Sequence, residues 1–198
     1  MIPRQFLITT TILFALTLGM SVYVWQLRRH EIATPRPPNR VEHVAPPTSG
    51  PMEQVTVYVA YDDPGELRAQ SISIPIASGR QQRAEGLLQA LVGIYTAKGS
   101  THPLTAGAEI RQVFLVDPGM AVIDLNSAFV DGQVSGVLAE ELTIASLVQT
   151  LATNVPALTR VKILVDGKER ETLAGHVDLS GFYDVQQIAE LVKQLSPQ

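Results

Sequence analysis

The side chains that could perform chemistry in this chain are a few carboxylates and two histidines. General acid–base catalysis by a carboxylate pair needs a shared cleft and well-separated pKa values. An aspartate beside glycine or proline is more typical of a turn, where its side chain bonds nearby backbone N–H groups. Turn structure is therefore favoured over catalysis or a calcium site for most of the carboxylates, namely Asp62, Asp63, Asp117, Asp131 and Asp166.

Asp124 differs from these aspartates because it interrupts an apolar strand, between Ile123 and Leu125. A solvent-facing strand position is the first interpretation of this pattern. A buried, hydrogen-bonded carboxylate is the alternative.

The folded region has two histidines, His102 and His176. The triplet His176-Val177-Asp178 could place two ligands on one side of a strand, but a zinc site needs at least three protein ligands. We therefore predict hydrogen-bonding loop histidines. A hydrolase that uses Asp124, Asp178 or His176 is an alternative hypothesis, which their exposure and mutual distances would decide.

The sequence contains no nucleotide-binding or nucleophile motif. Its nearest approach to G-x-S-x-G is GQVSG at 132–136, whose serine comes one position too late, so we interpret it as a loop and helix N-cap. The chain has no cysteine, which excludes disulfides and thiolate chemistry. A net charge of −4 without a basic run argues against nucleic acid as a partner. We predict no catalytic, cofactor-binding or metal-binding residues, no cofactor, no small-molecule substrate and a non-enzymatic role.

The N-terminal region is apolar. After a short tail at 1–5, residues 6–27 carry no charge, and a helix of that length spans the roughly 30 Å hydrocarbon core of a membrane. Tyr23 and Trp25 suit the interfacial aromatic belt. We predict a transmembrane anchor, with a cleaved signal peptide or a buried helix as alternatives. The arginines that follow would place the C-terminal side in the cytoplasm by the positive-inside rule.

Residues 28–53 are rich in proline. Such a composition favours extended polyproline II and predicts a semi-rigid spacer between the anchor and a folded domain. A PxxP ligand at 35–38 is the alternative function of this segment.

The folded domain begins with a predicted hairpin. Residues 55–61 alternate apolar and polar side chains, as a half-buried strand does. Residues 62–65 (DDPG) have the chemistry of a turn. Alternating isoleucines over 72–76 predict the second strand, and Pro75 indicates an edge position or a strand end.

A helix and a second hairpin follow. Ser78 and Gln81 predict a capping box at the start of the helix, and Gly93 is a plausible C-cap. A polar connection over 94–110 leads to two strands joined by a second Asp-Pro-Gly turn, within 113–125.

The next helix is unusually poor in charge. The side that is not apolar carries only Thr143, Ser146 and Thr150, so we expect the helix to be packed over most of its surface. Glu140 and Glu141 lie in its early turns, where the helix dipole favours carboxylates. Pro156 ends the helix. Its apolar side is formed by Val137, Ile144, Leu147, Val148 and Leu151.

The last part of the domain is predicted to be a strand, a hairpin turn and a helix. Residues 161–165 alternate as a strand, and Asp166-Gly167 favours a type I′ turn and hence a third hairpin. Asp184 with Gln187 can cap a C-terminal helix within 183–198. The order ββα-ββα-ββ predicts an α+β domain over 54–182, with a mixed sheet and the helices packed on one face.

Five strings form a recognisable pattern over residues 55–180: VTVYVAY, LLQALVGIY, IRQVFLVDPGMAVIDLNSAF, LTIASLVQTLATNVPALTRVKILVDGK and ETLAGHVDLS. Together they resemble the GerMN domain, a sporulation and spore-germination family. The resemblance covers nearly all of the predicted domain and depends on pattern along its length rather than on a catalytic signature.

The resemblance implies an extracytoplasmic, membrane-tethered module that binds other proteins, with a fold like that of the ring-building modules of envelope complexes. It supplies no catalytic residues. It also places the domain outside the cytoplasm, against the arginine count. This chain departs from the family pattern at Gly93-Ile94, where the family often has Gly-Pro, and in using a transmembrane helix where some members carry a lipid.

We therefore predict a single-pass membrane protein whose domain is a protein–protein interaction module of a cell-envelope, sporulation or germination-type assembly. Its expected partners are the membrane, other envelope proteins and further copies of itself. A peptidoglycan or carbohydrate binder is the alternative, and it would need exposed aromatic platforms. The candidate aromatic residues are Tyr58, Tyr61, Tyr95, Phe114, Phe129, Phe182 and Tyr183.

Overall fold

The computed structural model describes Met20 and residues 50–196. The predicted tail at 1–5 lies outside the described residues, as do the predicted anchor at 6–27, apart from Met20, and most of the linker at 28–53. Among the described residues, no helix combines the length and the apolar character needed to cross a membrane.

The described domain alternates pairs of strands with helices. Its elements are β1 (Met52–Tyr61), β2 (Glu66–Pro75), α1 (Arg80–Thr96), β3 (Ile110–Val116), β4 (Met120–Leu125), α2 (Ser127–Asp131), α3 (Val137–Asn154), β5 (Arg160–Val165), β6 (Tyr183–Asp184) and α4 (Val185–Leu195). The α+β class is confirmed. β1 begins inside the predicted linker, and the short helix α2 was not predicted.

The strands form two sheets rather than one. β1 and β2 make an antiparallel pair, and the order β3-β4-β5-β6 makes a mixed sheet in which β4 and β5 are parallel. The prediction of a single sheet is wrong. α1 packs on β1 and β3, and α3 packs on β1 and β2. The cause is that β1 offers its second edge to a helix instead of to another strand.

The third predicted hairpin is present only as a turn. Asp166 and Gly167 have φ values of 50° and 72°, as a two-residue type I′ turn requires, and Val165 and Lys168 exchange backbone hydrogen bonds of 2.9 and 3.0 Å. The expected return strand is wrong, because pairing stops at that one bridge. The antiparallel partner of β5 is instead β6, much later in the chain.

Two predicted helix signals near α1 are wrong. Ser78 makes no capping box, since its hydroxyl donates to the Gln82 side chain and Gly79 is the N-cap. Gly93 does not end the helix, which continues to Thr96. Continuation buries Tyr95 completely, and tertiary packing of this kind overrides local propensity.

The predicted cap of α4 is confirmed. Asp184 is its N-cap and accepts hydrogen bonds from the backbone N–H groups of Gln186 and Gln187. These bonds satisfy two of the N–H groups that every helix start leaves without an internal partner.

The expectation that α3 is packed over most of its surface is confirmed. Its uncharged strip, Thr143, Ser146 and Thr150, is fully buried, as are most of its apolar residues. Val137 is the exception to the predicted apolar side, because it is 56% exposed in the first turn. α3 is therefore the central element of the core, and its polar strip faces protein rather than water.

The glycine at the second Asp-Pro-Gly turn joins two parts of the fold. Gly119 has φ 70°, and its carbonyl accepts hydrogen bonds from the backbone N–H groups of Thr159 and Arg160, in the connection from α3 to β5. A Cβ atom at Gly119 would lie 2.6 Å from the carbonyl oxygen of Ala157. The turn and the connection therefore lie too close together for any residue other than glycine at position 119.

We expect Gly119→Ala to lower the free energy of unfolding by about 3 kcal/mol, because a left-handed backbone costs about 1–2 kcal/mol and the clash adds to it. Gly167→Ala is the matched control, since Gly167 also has a positive φ but has open space around its Cβ position. It should cost only about 1–2 kcal/mol. Urea unfolding followed by circular dichroism measures both, and equal losses would contradict the close approach.

Candidate functional site

The outer edge of β1 is closed by side chains of α3. The N–H of Tyr58 donates to Thr150 Oγ1 at 2.9 Å, and Ser146 Oγ donates to the carbonyl of Tyr58 at 2.6 Å. Asn154 Nδ2 donates to the carbonyl of Thr56 at 2.7 Å. Residues four apart lie on the same side of a helix, so Ser146, Thr150 and Asn154 form one polar stripe.

Tyr95 of α1 adds a further hydrogen bond to the same edge of β1, next to the polar stripe. The N–H of Ala60 donates to the Tyr95 hydroxyl at 2.9 Å, and that hydroxyl lies 2.5 Å from Ser146 Oγ. Because Ser146 gives its hydrogen to the carbonyl of Tyr58, Tyr95 is the donor of this pair. Burial raises the pKa of Tyr95, so the phenol stays neutral and able to donate.

The loop after α1 closes the last part of the same edge. Thr101 Oγ1 donates to the carbonyl of Ala60 at 2.8 Å, and the N–H of Asp62 donates to the carbonyl of Thr101 at 3.0 Å. From Thr56 to Ala60, β1 therefore has hydrogen-bond partners on both sides, and the contacts continue to Asp62, just beyond its end.

His102 is almost completely buried, with 1% of its surface exposed. Its Nδ1 lies 2.5 Å from Asp62 Oδ1, and its Nε2 lies 2.7 Å from Thr143 Oγ1. The ring also meets the ring of Tyr95 edge to face, with centroids 4.9 Å apart. The prediction that His102 is a hydrogen-bonding loop residue is confirmed.

The order Asp62, His102, Thr143 has the connectivity of a hydrolytic triad, but its hydroxyl has no access to a substrate. Thr143 is fully buried, and its Oγ1 also lies 2.9 Å from both Gln133 Oε1 and the carbonyl of Ala139. A nucleophile must reach a reacting atom, and this one is enclosed by its own fold. The three residues instead tie the end of β1 to α3.

Glu140 is the most strongly engaged charged residue of the domain. It is fully buried, and its Oε2 accepts backbone N–H groups of Ala174, His176 and Val177 at 3.1, 3.1 and 2.9 Å. Its Oε1 lies 2.9 Å from His176 Nδ1. The sequence predicted only a helix-dipole role for this residue. A pair of carboxylates, Glu140 and Glu141, at the start of an otherwise uncharged helix was the available signal.

The hydrogen bonds on Glu140 decide its charge. Burial alone would raise the pKa of this carboxyl, but the bonds from Val177, His176 and Ala174 outweigh burial and lower the pKa to about 2. Glu140 is therefore a carboxylate at neutral pH, and it fixes the loop between β5 and β6 by its backbone.

Asp124 is buried, so the solvent-facing interpretation is wrong and the hydrogen-bonded alternative holds. Its Oδ1 accepts the N–H of Gly167 at 2.7 Å, and its Oδ2 lies 3.3 Å from the Arg111 guanidinium. Arg111 also reaches Asp166, at 3.4 Å. Asp124 therefore anchors the type I′ turn at the end of β5. Alternation alone could not distinguish this role, because it gives the same pattern for either face.

Lys162 is a buried lysine of β5, on the strand face opposite to Val161 and Ile163. Its Nζ donates to the carbonyl groups of Leu179 and Ser180 at 3.2 and 2.5 Å, and it lies 3.2 Å from Glu169. Both faces of β5 are thus covered. No pattern in the sequence could have found this role, because the covering loop comes from far along the chain.

The residues of the hydrolase hypothesis have separate partners. Asp124 bonds the Gly167 turn, His176 bonds Glu140, and Asp178 accepts the N–H of Ser180. The Ser180 side chain and then its backbone N–H lower the pKa of the Asp178 carboxyl. No hydrogen bond joins these three residues within the described part of the chain. In the described part of the chain, no group of three or more histidine, aspartate or glutamate side chains could hold a metal ion.

The interpretation of residues 132–136 as a loop and helix N-cap is confirmed, because Gly136 is the N-cap of α3. Ser135 Oγ donates to the carbonyl of Ala174 at 3.0 Å. Three apolar residues next to it, Val134, Val137 and Leu138, are 48%, 56% and 45% exposed. Leu138 covers the first Asp-Pro-Gly turn, where its Cδ2 would lie 2.8 Å from a Cβ placed on Gly65.

Replacing Glu140 by Gln should destabilise the fold by on the order of 3 kcal/mol at pH 7, the free energy of a pKa lowered from 4.5 to about 2. A carboxyl whose pKa is lower in the folded state than in the unfolded chain stabilises the fold at every pH above its unfolded-state pKa. This contribution is lost as the pH falls through the folded-state pKa. The gap between wild type and Glu140→Gln should therefore narrow below pH 4.5 and nearly close near pH 2.

Urea unfolding across this pH range measures the difference. Glu141→Gln is the matched control, because the neighbouring carboxylate has no hydrogen-bond partner among the described residues. It should change stability by less than about 0.5 kcal/mol at every pH. A gap for Glu140→Gln that stays constant with pH would contradict the ionised, hydrogen-bonded state.

Comparison with known proteins agrees with this architecture. The chain matches the Germane family, described as sporulation and spore germination, over residues 56–171. It is similar to the tandem GerMN domains of the sporulation protein GerM from Bacillus subtilis, at 20% identity and a TM-score of 0.55, covering 69% of this chain and 48% of that one. The first GerMN domain of GerM matches at 20% identity and a TM-score of 0.48, covering 64% of this chain and 92% of that one.

This chain spans about half the length of the tandem-domain structure. No curated protein matches it. The match to the tandem domains supports the α+β fold, and the family model covers more than half of the sequence, from within β1 to the loop after β5. The family is a sporulation-domain family rather than a known enzyme class, and this chain belongs to it: it is a member of the Germane family of sporulation and spore germination domains.

Proposed function

We propose that this chain is a membrane-anchored, extracytoplasmic module that binds other proteins in a cell-envelope assembly of the sporulation or germination type. The observation that carries the proposal is the outer edge of β2 over residues 69–73, which has no hydrogen-bond partner within the described part of the chain. The buried polar residues His102, Glu140 and Asp124 support it, since their bonds hold strands and loops in place. Function is then exerted at the surface.

The direction of the backbone groups shows which edge is open. On one side of β1, backbone groups of Thr56, Tyr58 and Ala60 point towards α1, α3 and the loop after α1. The residues between them therefore direct their backbone groups to the other side, where they pair with β2. In β2, the backbone groups of Leu67, Ala69, Ser71 and Ser73 then point away from β1. Leu67 is buried, whereas Ala69, Ser71 and Ser73 are exposed. The outward backbone groups of these three exposed residues make no hydrogen bond within the described part of the chain.

Proteins usually protect an exposed edge with charged residues, proline or a bulge. β2 pairs with β1 over ten residues without a bulge, its residues 69–74 carry no charge, and its proline stands at the end of the strand. An edge of this kind is a template for β-strand addition by another protein.

Anchoring and orientation are part of the proposal. The uncharged run at 6–27 supports a transmembrane anchor, and the family of the domain supports an extracytoplasmic side. Arg28 and Arg29 oppose this orientation under the positive-inside rule. The experiment below therefore includes topology.

A peptidoglycan or carbohydrate binder is the second candidate, and Phe182 favours it. The Phe182 side chain is 54% exposed, and the Arg160 guanidinium and the Lys162 ammonium lie 5.4 and 5.7 Å from its ring centre. An exposed ring with nearby donors could stack on a sugar and bond its hydroxyls. Tyr95 and Phe129 are fully buried and offer no platform. Binding to isolated peptidoglycan that Phe182→Ala abolishes would favour this candidate.

The interaction hypothesis predicts position-specific crosslinks in living cells. A benzophenone amino acid at Ser71, on the outer edge of β2, should give ultraviolet-dependent adducts of the full-length chain with envelope proteins. The same probe at Glu190, a well-exposed position on α4, should give few. Mass spectrometry of the adducts identifies the partners.

Topology is the control for this experiment. Alkaline phosphatase fused after Gln198 should be active, and a fluorescent reporter that matures only in the cytoplasm should be dark at the same position. Inactive phosphatase, or adducts at Glu190 as abundant as at Ser71, would contradict the proposed function.

A further inference from the structure

We propose that the turn at Asp166-Gly167 is a latent site of isoaspartate formation, and that Asp124 and Arg111 keep the folded protein from undergoing this modification. This role goes beyond the proposed function, because it concerns the chemical stability of the chain rather than a partner. It gives the buried Asp124 carboxylate a second task besides anchoring the turn.

Aspartate followed by glycine is especially open to this modification, because glycine has no side chain to shield its backbone nitrogen. The nitrogen of Gly167 attacks Cγ of Asp166, the N–H proton is lost, and the carboxyl oxygen leaves as water. The resulting succinimide ring takes up water at either carbonyl. Opening at the backbone carbonyl of Asp166 gives isoaspartate, whose main chain runs through the side-chain carbonyl, so the mass of the chain is unchanged.

Both reacting groups lie at the surface. The Asp166 side chain is 48% exposed. Gly167 is also exposed, and open space surrounds its Cβ position. Burial therefore does not protect this pair, so protection must come from geometry and hydrogen bonding.

The type I′ turn holds the reacting atoms apart. Ring closure requires the Gly167 nitrogen to lie on the same side of the Cα–C bond as Cβ of Asp166. Asp166 has φ 50° and is the first central residue of the turn. At that position ψ is roughly 30°, which directs the following nitrogen away from Cβ. The reaction therefore needs the turn to open.

Asp124 opposes this opening at the reacting nitrogen itself. Its Oδ1 accepts the Gly167 N–H at 2.7 Å, so the proton that the reaction must remove is held in a charge-assisted hydrogen bond. Asp124 is buried, and a hydrogen bond is stronger where water is excluded. Opening the turn breaks this bond, which lowers the population of the open, reactive state.

Arg111 acts on the other reacting group. Its guanidinium lies 3.4 Å from Asp166 Oδ1 and 3.3 Å from Asp124 Oδ2. The ion pair requires Asp166 to be a carboxylate, which is a poor electrophile because its negative charge repels an attacking nitrogen. Attack needs the neutral carboxyl, so the contact with Arg111 must be lost first.

The other Asp-Gly pair of the sequence, Asp131-Gly132, is an internal control. The N–H of Gly132 donates to the carbonyl of Ala128 at 3.0 Å, within the short helix α2 and its cap. This pair therefore reports on folding without depending on Asp124.

Ageing of the purified full-length chain tests the inference. Wild type and variants are incubated at physiological pH and temperature, and peptide mapping by mass spectrometry follows isoaspartate at both Asp-Gly pairs. A guanidinium-unfolded sample gives the unprotected rate. Asp124→Ala should form isoaspartate at Asp166 at least about tenfold faster than wild type, because a hydrogen bond to a charged acceptor is lost. Asp124→Asn keeps an acceptor oxygen and should give a smaller rise.

The rate at Asp131 separates lost protection from lost folding. It should keep its wild-type value in Asp124→Ala, whereas unfolding would raise the rates at both pairs together. In that event Arg111→Gln decides, because this side chain is 46% exposed and its loss disturbs the core little. Arg111→Gln should raise the rate at Asp166 about threefold, with no change at Asp131 or in the urea midpoint.

Two results would overturn the inference. One is a wild-type protein whose Asp166 forms isoaspartate as fast as in the unfolded sample. The other is a rate at Asp166 that neither Asp124→Ala nor Arg111→Gln changes while the chain stays folded. Both outcomes are independent of the proposed function, which the adducts at Ser71 test.

Discussion

A strand edge inside a protein must have its N–H and carbonyl groups hydrogen-bonded, because each buried group left unpaired costs about 1–3 kcal/mol. The outer edge of β1 meets this requirement with side chains and a loop rather than with a strand. Ser146, Thr150 and Asn154 supply most of the bonds from α3, and Tyr95 adds one from α1. This arrangement explains why the domain has two sheets, and why α3 carries small uncharged polar residues.

The long loop between β5 and β6 is held by the same means with opposite charges. The Glu140 carboxylate accepts hydrogen bonds from backbone N–H groups within 174–177. The Lys162 ammonium donates hydrogen bonds to the carbonyl groups at 179–180. Buried charges persist only when they are bonded in this way. The candidate side chains His102, His176 and Asp124 likewise bond other parts of the domain.

Features set by local sequence were predictable, and those set by distant contacts were not. The Asp166-Gly167 turn and the Asp184 cap depend on neighbouring residues, and both were predicted correctly. The uncharged strip of α3 correctly indicated burial, but not its partner, because Thr150 bonds a residue 92 positions away. Other features depend on contacts with loops or strands elsewhere in the chain, which no local pattern reports. These are the missing return strand, the burial of Asp124 and Lys162, and the role of Glu140.

Amide hydrogen exchange tests the closure of β1 most directly. If α3 closes the edge, the amide of Tyr58 should be as well protected as those of Val57 and Val59, which face β2. In Thr150→Val, the Tyr58 amide should exchange at least about tenfold faster, because its acceptor is lost and a tenfold change corresponds to about 1.4 kcal/mol. Fast exchange of Tyr58 in the wild-type protein, or no effect of the substitution, would contradict the account.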